Sequence, residues 1–298
     1  MDIENKSSRF KEILVEKALL ISAATSIVIV IFIFCFLFSQ GAPAFYHIGV
    51  GQFLTGVVWQ PTSVIEAKFG AVSLIWGTTM VTLLAMIIAV PLGIAMAIYI
   101  AEVAHPMEKE ILKPIAELLA AVPSVVYGFF ASTTMATWIQ QSTGTPFRLN
   151  AMNGGMILAI MAIPTIVSLA EDAITSVPKD YREASLALGA SKWETIRNAV
   201  LPSSVSGIIV SIFLGFGRAI GETMAVLMAT GNAPNFSLNI FDSVRTLTAT
   251  IAIETPEVAF GSLHWNALFA LAIILFALTF FFNFLGSTIG RRLQKVGS

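Results

Sequence analysis

Long uncharged apolar runs, separated by short charged stretches, make up most of the 298-residue chain. A helix that crosses a bilayer needs about 20 mostly apolar residues. Six segments meet that need: Ala18 to Phe38, a stretch within Phe69 to Ala101, Leu118 to Ile139, Met152 to Leu169, Val205 to Met228 and Trp265 to Ile289. The fifth alone holds charge, Arg218 and Glu222. The residues before the first run are too acidic and polar for the leading part of a signal peptide. No connection between runs is long enough to form a separate soluble domain, so the pattern predicts an all-α polytopic membrane protein with six transmembrane helices.

Composition narrows the function. Apolar side chains make up 56% of the chain and charged ones 12%, against about 25% charged in soluble domains. That excludes a soluble enzyme and a disordered chain. A net charge of −1 with no basic block excludes a nucleic-acid binder. The single cysteine, Cys35, lies in an apolar run and offers no disulfide framework. His47, His105 and His264 are scattered, so no metal site is expected.

The basic residues give orientation. Lys6, Arg9, Lys11 and Lys17 precede the first run, Lys109 and Lys113 follow the second, and Lys179, Arg182, Lys192 and Arg197 follow the fourth. Arg291, Arg292 and Lys295 follow the sixth. Thirteen of the 17 Lys and Arg therefore lie on one side, with Lys68, Arg148 and Arg245 on the other. Positive residues stay cytoplasmic, which places both termini inside the cell. Trp59, Trp76, Trp138 and Trp265 fall near the outer interface. The mixed charges between Glu102 and Glu117 read as a solvated connection, and Asp242, Arg245, Glu254 and Glu257 read as solvated residues of the last outer loop.

The cytoplasmic stretch from Glu171 to Pro202 has a shape of its own. Pro178 suits the opening of a short helix, and Gly189 suits the left-handed position that closes one. Ser191 and Glu194 form a capping box for a second helix, which carries Trp193, Ile196 and Val200 toward Leu201-Pro202. Such a helix–turn–helix either lies at the lipid interface or docks on a partner surface; spacing alone leaves both open.

Glu183-Ala184-Ser185, Gly189 and Leu201-Pro202 resemble the EAA motif of ABC importer permeases, with one departure: Ala199 stands where the family usually has Ile. The resemblance implies a type I ABC importer permease fold in which this loop couples to a cytoplasmic ATPase. Further stretches are similar to the phosphate-specific importer permeases. These are Phe69-Gly70, Ile75 to Thr78, Val90 to Gly93, Val122 to Gly128, and the run Gly217 to Val226 (GRAIGETMAV), which is more similar to the PstC type than to the PstA type. Residues 1–69 then form a cytoplasmic N-terminus, first helix and first outer loop, and residues 70–298 the importer domain, with the coupling loop at 171–202.

The resemblance implies a heterodimer with a PstA-type permease, a cytoplasmic ABC ATPase dimer and an external phosphate-binding protein, in the prokaryotic inner membrane. The chain has no GxxxxGK[ST] sequence. No cofactor or catalytic residue is therefore expected on it, and ATP and Mg would belong to the ATPase. Arg218 and Glu222, at i and i+4 of one helix, share a face. Two charges at mid-membrane need a reason: mutual neutralisation, or contact with an anion, for which a guanidinium offers a planar fork. The resemblance favours the second. Gly217 and Gly221 frame the pair as GxxxG, which suits close helix packing; Gly286 and Gly290 share that spacing, which is common by chance among 21 glycines. Permeases for sulfate or molybdate, and an ion-coupled carrier, are the alternatives. A carrier would be expected to show internal repeats, and none is visible.

Overall fold

The computed structural model describes residues 2–296, with side chains for residue 12 and residues 14–292. Helix α1 (Asp2–Ile48) is followed by the short α2 (Val50–Thr55) and a two-stranded antiparallel hairpin, β1 (Trp59–Gln60) and β2 (Lys68–Phe69), in which Trp59 pairs with Phe69. Next come α3 (Val72–Ile98), α4 (Pro106–Ala121), α5 (Ser124–Phe130), α6 (Ala136–Thr143) and α7 (Ala151–Thr175). The cytoplasmic loop holds α8 (Lys179–Ala187) and α9 (Lys192–Thr195). The remaining helices are α10 (Leu201–Gly221), α11 (Met224–Ala229), α12 (Leu247–Glu254) and α13 (Leu263–Val296). Short π-helical turns continue α3 through Val103, join α5 to α6 and join α9 to α10.

Among the described residues, five helices are long and apolar enough to cross a membrane, and a bent pair, if one span, makes a sixth. The six-crossing reading therefore stands, but two crossings depart from single straight helices. The third breaks by 88° between α4 and α5. Pro123 lacks an N–H, and its ring drives Val122 out of helical geometry, to ψ 130°. Leu118, expected inside the span, lies on α4. The helical stretch after the break, Ser124 to Thr143, is 20 residues long, and it is apolar enough to cross only together with α4. The expected fifth span ends early, at Gly221. Glu222 is extended at ψ 134° and the chain restarts as α11.

The stretch read as a solvated connection is α4, an ordered helix. Its first turn is capped by Glu108, whose carboxylate accepts the His105 N–H at 2.9 Å. Leu112 and Ala116 pack on Ile100, Ile163 and Val167 of the neighbouring elements.

Small residues bring the central helices together. At Gly155 of α7 an added Cβ would lie 2.6 Å from Leu84 of α3, and at Gly215 of α10 one would lie 2.9 Å from Ile166 of α7. Such close approach is how helices associate where no hydrophobic drive separates protein from lipid. The apolar stretch of α1 is unburied by the rest of the chain, yet α1 meets α13 from Phe34 on, with Phe34 beside Phe276, Phe36 beside Phe269 and Ala44 in the core formed by Leu268 and Leu271.

The two glycine pairs differ in what they meet within the chain. Gly217 does pack, with its added Cβ 2.8 Å from Asn283 Oδ1 of α13, but Gly221 faces open space. The close α10–α13 contact lies instead at Gly286, against Phe213, and at Gly290, against Val210. A Gly286→Val chain should lose about 1–3 kcal/mol by overpacking. The check is thermal denaturation of the purified protein, in which Gly221→Val should leave the midpoint where it is.

Candidate translocation site

The two breaks in the spans lie side by side. α11 packs on α5: a Cβ at Gly128 would sit 3.2 Å from both Ala225 Cα and Met224 O. Asn153, fully buried on α7, holds both pieces. Its side-chain amide donates to Ala131 O, at the turn after α5, at 3.2 Å, and to Ala229 O, at the end of α11, at 2.9 Å. Such buried amides are strong local constraints, because an unmet backbone carbonyl in the interior costs about 1–3 kcal/mol. Sequence reasoning passed over Asn153, although an amide in the apolar run Met152 to Leu169 was a readable signal.

At the break in the third crossing, the last carbonyls of α4 have no helical partner and carry partial negative charge. Two side chains from other elements meet them. Tyr127 Oη of α5 donates to Leu119 O at 2.9 Å, and Arg218 Nη2 of α10 donates to Ala120 O at 3.4 Å.

Arg218 and Glu222 are close in sequence but do not pair. The intervening helix ends at Gly221, so the shared face expected from an i, i+4 spacing is lost. No ion pair joins them among the described residues. Glu222 instead caps α11: its carboxylate accepts the Ala225 N–H at 3.1 Å, and its own carbonyl accepts the Thr248 hydroxyl at 2.8 Å. Arg218 is left on an exposed face of the chain, balanced by a helix terminus rather than a carboxylate. Both residues border one small crevice with Leu158, Met161, Ala162 and Ala219. A lone guanidinium facing lipid would cost about 2.5–3.5 kcal/mol on insertion scales, so this face must meet water or another protein.

The cytoplasmic loop takes the expected form. Gly189 has φ +89°, the left-handed closure of α8. Ser191 Oγ accepts the Glu194 N–H at 3.3 Å, and Glu194 accepts the Ser191 N–H at 2.8 Å. The hydroxyls of Ser185 and Thr195 bond at 2.9 Å and hold α8 to α9. Val200 anchors the second helix in a core with Ala97, Ala170 and Ile174, and Leu201 packs at its edge. Glu183, Ala184, Gly189 and Pro202 are exposed, as are Trp193 and Leu188, the latter 90%.

On the outer side, Glu254 is no ordinary solvated residue. It is largely buried, accepts Arg245 Nη1 at 2.8 Å and Trp59 Nε1 at 3.1 Å, and meets His264 Nε2 at 2.8 Å. This cluster fastens the β1–β2 hairpin to the ends of α12 and α13.

The bundle thus has two spans broken beside a cation with no carboxylate partner among the described residues, and an exposed, tightly folded loop between α7 and α10. The family profile described as "Binding-protein-dependent transport system inner membrane component" matches residues 89–295. A probable ABC transporter permease, YqgH of Bacillus subtilis, is 39% identical over 88% of this chain and 84% of its own length. The phosphate transport system permease PstC of Mesorhizobium japonicum is 36% identical over 77% of this chain and 75% of its own. In fold, the chain is similar to a bacterial alginate ABC transporter, with a TM-score of 0.64 and 16% identity over 97% of this chain and 98% of that one. It is also similar to the MetNI methionine ABC transporter, with a TM-score of 0.55 and 17% identity over 73% and 93%. The chain belongs to the binding-protein-dependent inner membrane components, and within them to the PstC-type phosphate transport permeases.

Proposed function

We propose that the chain is one permease subunit of an ATP-driven phosphate importer, forming half of the translocation pore. The observation that carries this reading is the placement of Arg218: an exposed guanidinium without a carboxylate partner, at the level where two crossings break. A phosphate ion offers oxygens to match its planar fork. Its present hold on Ala120 O is a single long hydrogen bond, which an anion can displace. Glu222, on the same crevice and engaged in capping α11, limits the net positive charge there, so the ion is not held too tightly to leave.

The other half of the pore would come from a PstA-type permease covering the face that bears Arg218. The loop 171–202, with Glu183, Ala184, Gly189, Leu201 and Pro202, would dock on a cytoplasmic ATPase dimer. ATP and Mg would be used there, and no catalytic residue is assigned to this chain. A phosphate-binding protein would deliver the ion at the outer face, and the assembly would sit in the prokaryotic inner membrane.

Competition tests the substrate. In vesicles holding the assembled transporter, a tenfold excess of unlabelled phosphate or arsenate should suppress uptake of labelled phosphate about tenfold. The same excess of sulfate or molybdate should leave uptake within a factor of two. Suppression by sulfate or molybdate would reassign the permease to another oxyanion.

A further inference from the structure

Two ion-pair contacts outside the crevice lead back to it. Lys113, on α4, bonds Glu171 at 2.6 Å and Asp172 at 2.8 Å, at the point where α7 enters the coupling loop. Glu171 is nearly buried, and its second oxygen accepts the Thr175 hydroxyl at 2.9 Å. Bonds to Asp172 and then Glu171 hold the Lys113 ammonium well above the ordinary lysine range. Beside it, Arg182 of α8 bonds Glu102 at 2.6 Å, largely buried, and reaches Ile174 O at 2.9 Å. The coupling loop is thus fastened both to the end of α3 and to α4.

The other end of α4 is the carbonyl terminus that meets Arg218 and Tyr127. From Lys113 to Ala120 is seven residues, about 10 Å of helix; Pro114 removes one helix hydrogen bond at its start, and packing holds the rest in place. Leu112 and Ala116 seat that segment on α3 and α7. A displacement of the loop at Glu171 therefore moves the carbonyl that Arg218 holds.

We infer that Lys113 is a positioning residue for transport: through Glu171 and Asp172 it makes α4 the strut that carries movement of the coupling loop to Arg218. The inference rests on the roles given above to Arg218 and to the 171–202 loop. It goes beyond them by naming the mechanical connection and by predicting that a residue outside both the crevice and the exposed face of the loop controls the crevice.

The test reads movement at the crevice, independently of uptake. Met224, exposed one residue beyond the second break, is replaced by Cys in a Cys35→Ala chain, and the transporter is assembled in vesicles. A hydrophilic thiol reagent then labels Cys at 224 with and without vanadate trapping of the ATPase. With Lys113 intact, trapping should change the labelling rate at least tenfold. Lys113→Met should still trap vanadate but lose that response, and Lys113→Arg should restore it. If Lys113→Met does not assemble, the paired change Glu171→Met, Asp172→Leu removes both acceptors of the Lys113 ammonium and is read in the same way. A full labelling response in either uncoupled chain overturns the inference. Failure of the Arg218 reading is seen separately, as normal phosphate uptake by Arg218→Gln, whatever the labelling shows.

Discussion

Arg218→Gln should cut phosphate uptake by about 100-fold or more while the transporter still assembles. The size follows from the interaction removed. Hydrogen bonds to a charged partner contribute about 1.5–3 kcal/mol each, a guanidinium can make two in parallel, and each 1.4 kcal/mol is about tenfold. Glutamine fills similar space but carries no charge. Assembly should survive because Arg218 makes one hydrogen bond within the chain, at 3.4 Å, to a carbonyl that water can serve instead. Arg218→Lys keeps the charge without the fork and should fall between the two. Labelled-phosphate uptake per copy of purified complex is the measurement; normal uptake by the glutamine chain would reduce Arg218 to a cap on α4. Glu222→Gln should be milder, because an amide oxygen can still accept the Ala225 N–H.

Gly189→Asp should abolish both copurification with the ATPase and uptake, with membrane insertion unchanged. The companion change, Gly189→Ala, separates the causes. Gly189 sits at φ +89° with nothing within 4 Å of an added Cβ, so neither side chain clashes. Each is strained in the left-handed region by about 1–2 kcal/mol, and Asp tolerates that region better than Ala. If backbone strain were the whole effect, alanine would be at least as damaging. If the exposed turn is a docking face, aspartate places a charge in it and alanine does not. Most uptake retained by Gly189→Ala and none by Gly189→Asp identifies a docking face; equal loss in both would return the defect to the fold of the loop.

The crossings and the loop were legible for a physical reason: their determinants are local. An uncharged run of sufficient length has few alternatives to a spanning helix, and Ser191 with Glu194, or Gly189 after Leu188, closes hydrogen bonds within a few residues. The breaks were harder to read. Pro91 and Pro164 lie inside continuous helices, whereas Pro123 ends one. The difference is that the α4 carbonyls freed at Pro123 find Tyr127 and Arg218, the second 98 residues away. Glu222 stops α10 because Thr248 and Ala225 meet its carbonyl and carboxylate. α4 was hidden for the same kind of reason, since Lys113 finds its carboxylate 58 residues on. The two GxxxG pairs have the same spacing, and the positions of Asn283, Phe213 and Val210 decide which glycines pack within the chain.

The central claim is that this chain passes phosphate under the control of a partner ATPase, and reconstitution tests it most directly. The chain, a PstA-type partner, the ATPase and the phosphate-binding protein are placed in proteoliposomes, and labelled phosphate is followed with each component left out in turn. The account predicts uptake against a gradient only with the full set and ATP, and none when either the ATPase or the binding protein is missing. Sustained uptake without the ATPase, driven by an ion gradient instead, would contradict it.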